Sequence, residues 1–216
     1  RPRLGIITTG KASLDVLQAL EDLGIDDCRA GELGLRVFKV GMSWPLDPVS
    51  THAFADGLDE ILVVEEKRSI IEDQLTSQLY NWPVARRPQV VGEFDEHGRD
   101  LLPNLGELTP AGVARAIAGR LRRFHSDPTI DARLAFYDRK EQSLAQPRDH
   151  LERTPHYCSG CPHSRSTRIP EGSRAMGGIG CHYMATMEVG DRRAETFTQM
   201  GGEGITWVGQ AFFTDT

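Results

Sequence analysis

The chain has 216 residues, of which 25 are Lys or Arg and 31 are Asp or Glu, so that its formal net charge is −6. Domains usually hold about 100–200 residues, and this length therefore predicts one large domain, or one complete domain with a smaller piece. The acidic balance argues against nucleic-acid binding, and no apolar run reaches the roughly 18 residues of a membrane span. We expect a cytoplasmic protein without nucleic-acid or membrane partners.

Strand-like segments recur in the N-terminal part of the chain. Leu4–Thr8 is a short apolar run, and Leu35–Val40 alternates apolar and polar residues as a strand does. Ile61–Val64 is a continuous apolar run, which predicts a strand buried on both faces of a sheet. Val90 and Val91 are expected to form a last short strand.

Helical periodicity lies between and after these strands. Apolar residues at helical spacing follow the first strand and end before Gly24, where a helix terminus favours a left-handed residue. Ser69 and Glu72 form a capping-box pattern ahead of another helix. Thr109 and Pro110 supply the N-cap and first-turn residues of a third. Strands that alternate with helices favour an α/β fold with a parallel sheet.

Composition divides the chain into three regions. Residues 1–125 carry the alternating strands and helices and are predicted to form one α/β domain. Residues 126–156 are polar and lack a sustained period, which predicts a linker with one short helix around Arg133–Lys140. Residues 157–216 are rich in glycine, which indicates backbone that turns tightly around a cofactor.

Several charged and aromatic residues of the first region are interpreted as structural. Glu65 and Glu66 follow the buried strand, where open α/β sheets often place functional groups. We interpret them as solvated acids at the strand end. The arginines of the last predicted helix, Arg120 among them, are assigned to a solvated face, and Trp44–Leu46 to a packed loop.

Three cysteines cluster near the C-terminal end. Cys158 and Cys161 form a C-x-x-C pattern with a glycine between them, and Cys181 follows after nineteen residues. Such a turn directs two sulfur atoms at one ion or cluster. An iron–sulfur cluster with four cysteine ligands and a zinc site completed by His163 or His182 both remain open. A reduced, buried pair without a metal is the structural alternative.

A second glycine-rich pattern contains Gly201, Gly202, Glu203 and Gly204. Glycines around a carboxylate let the main chain approach a ligand closely, although an ordinary turn explains the pattern equally well. The pattern is neither a phosphate-binding P-loop nor a dinucleotide-binding fingerprint.

Longer motifs around these residues are Y-C-S-G-C-P-H-S at 157–164, P-E-G-S at 170–173, G-I-G-C-H-Y-M at 178–184 and T-Q-M-G-G-E-G at 198–204. Together they resemble the thiamine-diphosphate domain of the indolepyruvate ferredoxin oxidoreductase family. The segments L-G-I-I-T-T-G-K, V-G-M-S-W-P-L-D and I-L-V-V-E-E resemble the transketolase C-terminal-like domain that precedes it in that family. The resemblance implies a transketolase C-terminal-like parallel sheet sandwich, then a linker and a truncated thiamine-diphosphate-binding domain.

The resemblance also implies an activity and a set of cofactors. Members of this family convert aryl 2-oxo acids and coenzyme A to acyl-CoA with thiamine diphosphate and Mg²⁺, and iron–sulfur clusters pass the electrons to ferredoxin. By position, Cys158, Cys161 and Cys181 match three ligands of a 4Fe-4S cluster. Gly201–Gly204, with Glu203, match the start of the thiamine pocket. The remainder of the same polypeptide and a second copy, in a homodimer, are further implied partners.

The chain also departs from the family pattern. The G-D-G…Asn signature that holds Mg²⁺ through oxygen ligands is absent from the sequence, as are a fourth cluster cysteine and the pyrimidine-binding domain. We therefore expect a fragment that does not turn over substrate alone. A zinc-binding interaction module and a non-catalytic structural domain are the alternatives.

Overall fold

A computed structural model describes residues 2–145, 155–187 and 194–214, and the chain divides into two compact units, Arg1–Pro147 and Arg148–Thr216. The first unit contains, in chain order, β1 (Leu4–Thr9), α1 (Ala12–Asp22), α2 (Asp27–Leu33), β2 (Leu35–Val40), α3 (Pro48–Ala55), β3 (Glu60–Val64), α4 (Ile70–Leu79), β4 (Gln89–Val91), α5 (Pro110–Leu121) and α6 (Pro128–Ala145). The second contains α7 (His163–Ser166), β5 (Met176–Gly177), α8 (Cys181–Met184), β6 (Thr196–Phe197), α9 (Ile205–Gln210) and a 3-10 turn at Ala211–Phe213.

The first unit is built on a parallel sheet with the strand order β2-β1-β3-β4. Ile6 in the centre of β1 lies opposite Val37 of β2 and Leu62 of β3. β2 has the predicted bounds, while β1 is one residue longer at its end and β3 starts one residue earlier than predicted. The predicted α/β class with a parallel sheet is confirmed.

Each face of this sheet is covered by helices. Successive strand residues point to opposite faces, so that Ile6 and Leu62 belong to one apolar cluster, and Ile7 and Ile61 belong to the other. Helices α1, α2, α5 and α6 contribute apolar residues to the first cluster, and α3 and α4 to the second. Every residue of β3 is buried, as its apolar run predicts.

Two short helices, α2 and α3, were not predicted from the sequence. Both begin at an aspartate whose carboxylate accepts hydrogen bonds from main-chain N–H groups of the first turn. Asp26 accepts from Arg29 N (2.8 Å), and Asp47 accepts from Val49 N (3.2 Å) and Ser50 N (3.0 Å). Helices of seven and eight residues are too short to show a sustained apolar period.

Helix α6 extends the first unit into the predicted linker. The sequence predicted a short helix around Arg133–Lys140, whereas the structure has 18 helical residues there. Ile130 and Leu134, one turn apart, are buried in the sheet core, and Tyr137 Oη donates a hydrogen bond to Asp22. These few contacts attach an otherwise polar helix to the first unit. Because so few of its residues are buried, the apolar period of the helix is weak in the sequence. Residues 146–154 of the predicted linker lie outside the described residues.

A buried ion pair joins α5 to β3. Arg120 is 6% exposed and Glu60 is 1% exposed. Their side chains form a two-point contact, with 2.7 Å between Nη2 and Oε2, and Glu96 Oε2 lies 2.8 Å from Arg120 Nη1. The assignment of Arg120 to a solvated face is therefore wrong. Arg115, one and a half turns earlier, is partly exposed and pairs with acids of α6, while Arg122 and Arg123 are exposed as predicted.

The second unit contains little regular structure in its described part. β5 and β6 form a two-stranded parallel sheet, in which Met176 pairs with Thr196 and Gly177 with Phe197. The hydroxyl groups of Thr196 and Thr206 both lie within hydrogen-bonding distance of Met176 Sδ. In both units, none of the described helices has the length and apolar character needed to cross a membrane.

Candidate functional site

The carboxyl edge of the large sheet carries a lysine that the sequence analysis missed. The chain leaves β1 towards β2 and leaves β3 towards β4, in opposite directions, so that the crevice between β1 and β3 is the switch point where open α/β sheets bind ligands. Lys11 Nζ contacts four oxygen atoms: Glu107 Oε1 (2.9 Å), the main-chain O of Leu108 (3.0 Å), Asp15 Oδ2 (3.1 Å) and Glu66 Oε1 (3.3 Å). Hydrogen bonds, first of all to Glu107, raise the pKa of Lys11. The only sequence signal was the Gly-Lys turn after β1.

Glu65, the residue after β3, caps helix α4. Its carboxylate accepts hydrogen bonds from Ile71 N (2.8 Å) and Glu72 N (3.0 Å). The predicted capping box is wrong, because Ser69 makes no cap contact and instead donates to Glu93 Oε2 (3.2 Å). The interpretation of Glu65 as a solvated acid is also wrong. The residue is half-buried, and this burial raises the pKa of its carboxyl group.

Glu72 extends this set of acids towards β4. Its Oε2 accepts a hydrogen bond from Glu93 N (3.1 Å), and its carboxylate lies so close to Gly92 that a Cβ atom there would collide with it. Burial raises the pKa of the Glu72 carboxyl group, and the nearby charges of Asp73 and Glu93 act in the same direction. Three acids, Glu65, Glu72 and Glu93, thus hold main-chain and side-chain donors at the ends of β3 and β4.

We expect Glu72→Gln to make the free energy of unfolding fall less steeply as the pH rises above 4.5, the ordinary value for this group. Because the pKa is raised on folding, the folded state holds the proton more tightly above that pH, and deprotonation destabilises it. Glutamine keeps an oxygen acceptor for Glu93 N but does not titrate. Urea unfolding from pH 4 to pH 8 measures the slope.

Asp127→Asn is the control for this prediction, because folding lowers the pKa of Asp127 whereas it raises the pKa of Glu72. Arg29 lowers the pKa of Asp127, so that this carboxylate stabilises the fold above its unfolded pKa, and the contribution is lost as the pH falls. Asp127→Asn should therefore flatten the acid side of the stability profile and leave the slope above pH 4.5 as in the wild type. Identical profiles for wild type and Glu72→Gln would contradict the assignment.

The C-x-x-C segment of the second unit forms a tight turn. Cys161 N donates a hydrogen bond to Cys158 O (3.0 Å), and Gly160 between them adopts a left-handed conformation with a φ of 72°. The thiol of Cys158 is exposed and that of Cys161 is half-exposed, and neither forms a disulfide. Helix α7 starts at His163, directly after the turn.

Cys181 is the first residue of α8 and is also an exposed free thiol. The ring of its neighbour His182 makes an edge contact with the ring of His163, with 5.5 Å between the ring centroids. The two cysteine-bearing segments therefore lie side by side. Across residues 2–145, 155–187 and 194–214, however, no group of three or more His, Cys, Asp or Glu side chains is placed to hold a metal ion.

The Gly201–Gly204 segment is a tight turn between β6 and α9. Gly201 and Gly204 are both left-handed, with φ near 80°, and Gly202 N donates to Gln199 O (2.9 Å). Glu203 packs on the other glycine-rich motif, because a Cβ atom at Gly178 would lie 2.7 Å from Glu203 Cγ. The Gly178–Cys181 loop follows β5 and the Thr198–Gly204 loop follows β6, at the carboxyl ends of neighbouring parallel strands.

The donor chemistry of these segments fits the expected cofactors. Three free thiols on two adjacent segments are soft ligands, which suit iron–sulfur clusters or zinc. Two glycine-rich loops at the carboxyl ends of parallel strands are suited to close contact with a bound cofactor. The structure thus brings the cysteine motif and the glycine-rich motif together. Within its described part, it does not bring three metal-binding side chains to one point.

Comparison with known proteins places the chain in a family. Residues 1–147 match the family described as "Indolepyruvate ferredoxin oxidoreductase middle domain". The chain is 28% identical over 190 residues to "Indolepyruvate oxidoreductase subunit IorA" of Thermococcus kodakarensis, covering 86% of this chain and 26% of that protein. It is 30% identical over 162 residues to the protein of that name from Methanothermobacter thermautotrophicus, covering 74% of this chain and 21% of that protein.

A solved structure, "Split gene transketolase, inactive beta4 tetramer", is also similar, with 21% identity and a TM-score of 0.37 over 56% of this chain and 38% of that chain. The chain spans about a quarter of the length of the curated relatives it matches. The family match alone extends over more than half of the chain. The chain therefore belongs to the indolepyruvate ferredoxin oxidoreductase family, a family of oxidoreductases, and matches its middle domain over residues 1–147.

Proposed function

We propose that the enzyme containing this chain oxidatively decarboxylates an aryl 2-oxo acid of the indolepyruvate type. The 2-oxo acid and coenzyme A give acyl-CoA and carbon dioxide, and the two electrons released pass through iron–sulfur clusters to ferredoxin. The family match and the names of the relatives support an oxidoreductase of the indolepyruvate type. Because the chain spans about a quarter of those relatives, the activity is proposed for the whole enzyme and not for these 216 residues alone.

The observation that carries the proposal is the placement of the two glycine-rich loops. They leave β5 and β6 at the same edge, and Glu203 of one loop packs on Gly178 of the other. Cys181 ends the first loop and begins α8, so that a proposed metal ligand and the proposed thiamine-binding turn belong to neighbouring segments. This arrangement suits an enzyme in which a redox centre accepts electrons from an adjacent organic cofactor.

Cys158, Cys161 and Cys181 are proposed to hold three corners of a 4Fe-4S cluster. A bound cluster of this kind supplies one-electron transfer, at a potential set by its hydrogen bonds and solvent exposure. The Cys158–Cys161 turn would present two thiolates from one side, and Cys181 would add a third from the adjacent segment. These three side chains bind and orient the cluster.

Gly201–Gly204 is proposed to form part of the thiamine-diphosphate pocket. Thiamine diphosphate with Mg²⁺ supplies the electron sink for decarboxylation when it is bound. The left-handed glycines leave the main chain of the turn free of side chains, which allows close contact with a cofactor. Glu203 is exposed and available to bind or orient it.

The relatives are each named as a subunit, which supports an enzyme that is assembled from more than one polypeptide. We propose ferredoxin as the electron acceptor, coenzyme A as the second substrate, the remainder of the same polypeptide as a structural partner, and a homodimer as the assembly. A cytoplasmic location is consistent with this set of partners.

Anaerobic metal analysis of the assembled enzyme tests the proposal. We expect iron and acid-labile sulfide without stoichiometric zinc, together with binding of thiamine diphosphate. Zinc at one per chain without iron would overturn the cluster assignment and indicate a zinc-binding module. Absence of both metals and of thiamine binding would indicate a non-catalytic structural domain. Cys28→Ser, an exposed cysteine of the first unit, is the matched control and should leave the iron content unchanged.

A further inference from the structure

Trp44 is held exposed on a loop that is fixed to helix α4. The Gln74 side chain accepts a hydrogen bond from Leu46 N (2.8 Å) and donates one to Ser43 O (2.8 Å), and Gln78 Nε2 donates to Leu46 O (2.9 Å). The expectation of a packed loop is correct only for Leu46, which is buried, because Trp44 is 71% exposed. A large apolar ring is thus presented to the surroundings from a loop with little freedom.

Trp44 lines an open groove together with the start of α4. The groove has a volume of about 370 Å³, and its lining residues are Trp44, Arg68, Ser69, Ile70, Asp73 and Gln74. The Ile70 side chain is also exposed. Among the described residues, no carboxylate forms an ion pair with Arg68. Its neighbour Lys67 is the only described non-glycine residue with a positive φ, a strained conformation that is typical of functional segments.

We propose that the surface formed by Trp44, Arg68 and Ile70 binds a segment of the same enzyme's protein that lies outside these 216 residues. The partner surface would place an apolar side chain over Trp44 and Ile70 and a carboxylate on Arg68. Trp and Arg are the residue types that contribute most to binding at protein interfaces. The relatives are about four times longer than the part that this chain matches, and so such an enzyme has ample protein to cover this surface.

The charges around the groove favour a protein partner over a nucleotide. Asp73 lines the groove itself, and the carboxylates of Glu65 and Glu72 lie at the same end of α4. Several negative charges beside Arg68 disfavour a polyphosphate, whereas a partner that brings one carboxylate can pair with Arg68. The inference rests on the family membership of the chain and does not depend on the cluster or the reaction.

Hydroxyl-radical footprinting of Trp44 tests this proposal. Met42, on the same loop and 62% exposed, is a second probe. We expect rapid oxidation of both side chains in the 216-residue chain alone and severalfold slower oxidation in the assembled enzyme. Equal oxidation in the two samples would overturn the proposal. So would protection that requires added coenzyme A or ATP, or protection of the isolated chain that grows with its concentration, since these indicate a small molecule or a second copy.

Arg68→Glu in the assembled enzyme gives an independent measurement. Reversal of this charge should restore fast oxidation of Trp44, because it places two carboxylates opposite each other. Arg87→Glu, the same change at an exposed arginine ahead of β4, is the matched control and should keep Trp44 protected. Equal protection in both variants would argue against the Arg68 contact. Footprinting needs neither turnover nor a bound cluster, so failure of this inference is distinguishable from failure of the proposed function.

Discussion

Replacing Cys158 with serine in the assembled enzyme is expected to stop ferredoxin reduction while thiamine diphosphate still binds. A serine hydroxyl is a poor ligand for the iron of a cluster, which prefers thiolate. Removing a residue that only hydrogen-bonds to a metal ligand lowers metal affinity or activity by about 10–100-fold. Removing a ligand itself should lower them at least as much. Reduction of ferredoxin followed by absorbance, and calorimetric titration with thiamine diphosphate, measure the two effects separately.

The controls for this variant come from the same chain. Cys161→Ser and Cys181→Ser should behave like Cys158→Ser, because all three thiols are assigned to one cluster. Cys28→Ser should leave electron transfer unchanged, since Cys28 is an exposed thiol of the first unit. Full electron transfer in Cys158→Ser would remove this residue from the proposed ligand set.

Arg120→Ala should lower the free energy of unfolding by about 3–5 kcal/mol, because removal of one partner breaks a buried ion pair. Glu60, which is 1% exposed, would keep only the more distant Arg123, with 3.5 Å between Arg123 Nε and Glu60 Oε2. Arg123 and Glu96 also contact this pair, so the loss extends through a small network. Urea unfolding of the 216-residue chain, followed by circular dichroism, measures the change.

Arg115→Ala is the matched control for this prediction. Arg115 lies on the same helix and also contacts two carboxylates, Asp138 and Glu141, but its pairs are exposed. Exposed pairs contribute about 0–1 kcal/mol, so its loss should be small. A double variant, Arg120→Met with Glu60→Leu, should recover much of the stability lost in Arg120→Ala, because it removes both buried charges. Equal losses in Arg115→Ala and Arg120→Ala would contradict the assigned burial.

Local patterns predicted the elements whose sequence signal lies within a few consecutive residues. The apolar runs of β1, β2 and β3 placed these strands to within one residue, and Thr109 caps α5 as predicted by accepting a hydrogen bond from Gly112 N. The errors concern residues whose partners no local pattern reveals. Arg120 meets Glu60 across 60 positions, and no helical charge pattern reveals such a partner. Glu65, on the far side of a turn, caps α4 in place of the predicted Ser69.

In the candidate site, too, the local motifs were predicted from the sequence and their contacts with other segments were not. The cysteine and glycine motifs were visible in the sequence because their spacing is short. Their mutual placement depends on β5 and β6, two-residue strands that leave no periodic signal. Lys11 was missed because its four oxygen partners come from three separate segments. Contacts of this kind are defined only by the folded chain.

The Lys11 contacts also impose an order on folding. Lys11 Nζ and the main-chain O of Leu108 are 97 positions apart in sequence, whereas β1 pairs with β2 over about a third of that separation. Distant contacts have the larger entropic cost of loop closure and form after nearer ones. On the ribosome, the N-terminal strands also emerge first. We therefore expect the carboxyl edge between β1 and β3 to be completed late, when the segment before α5 closes over a sheet that has already formed.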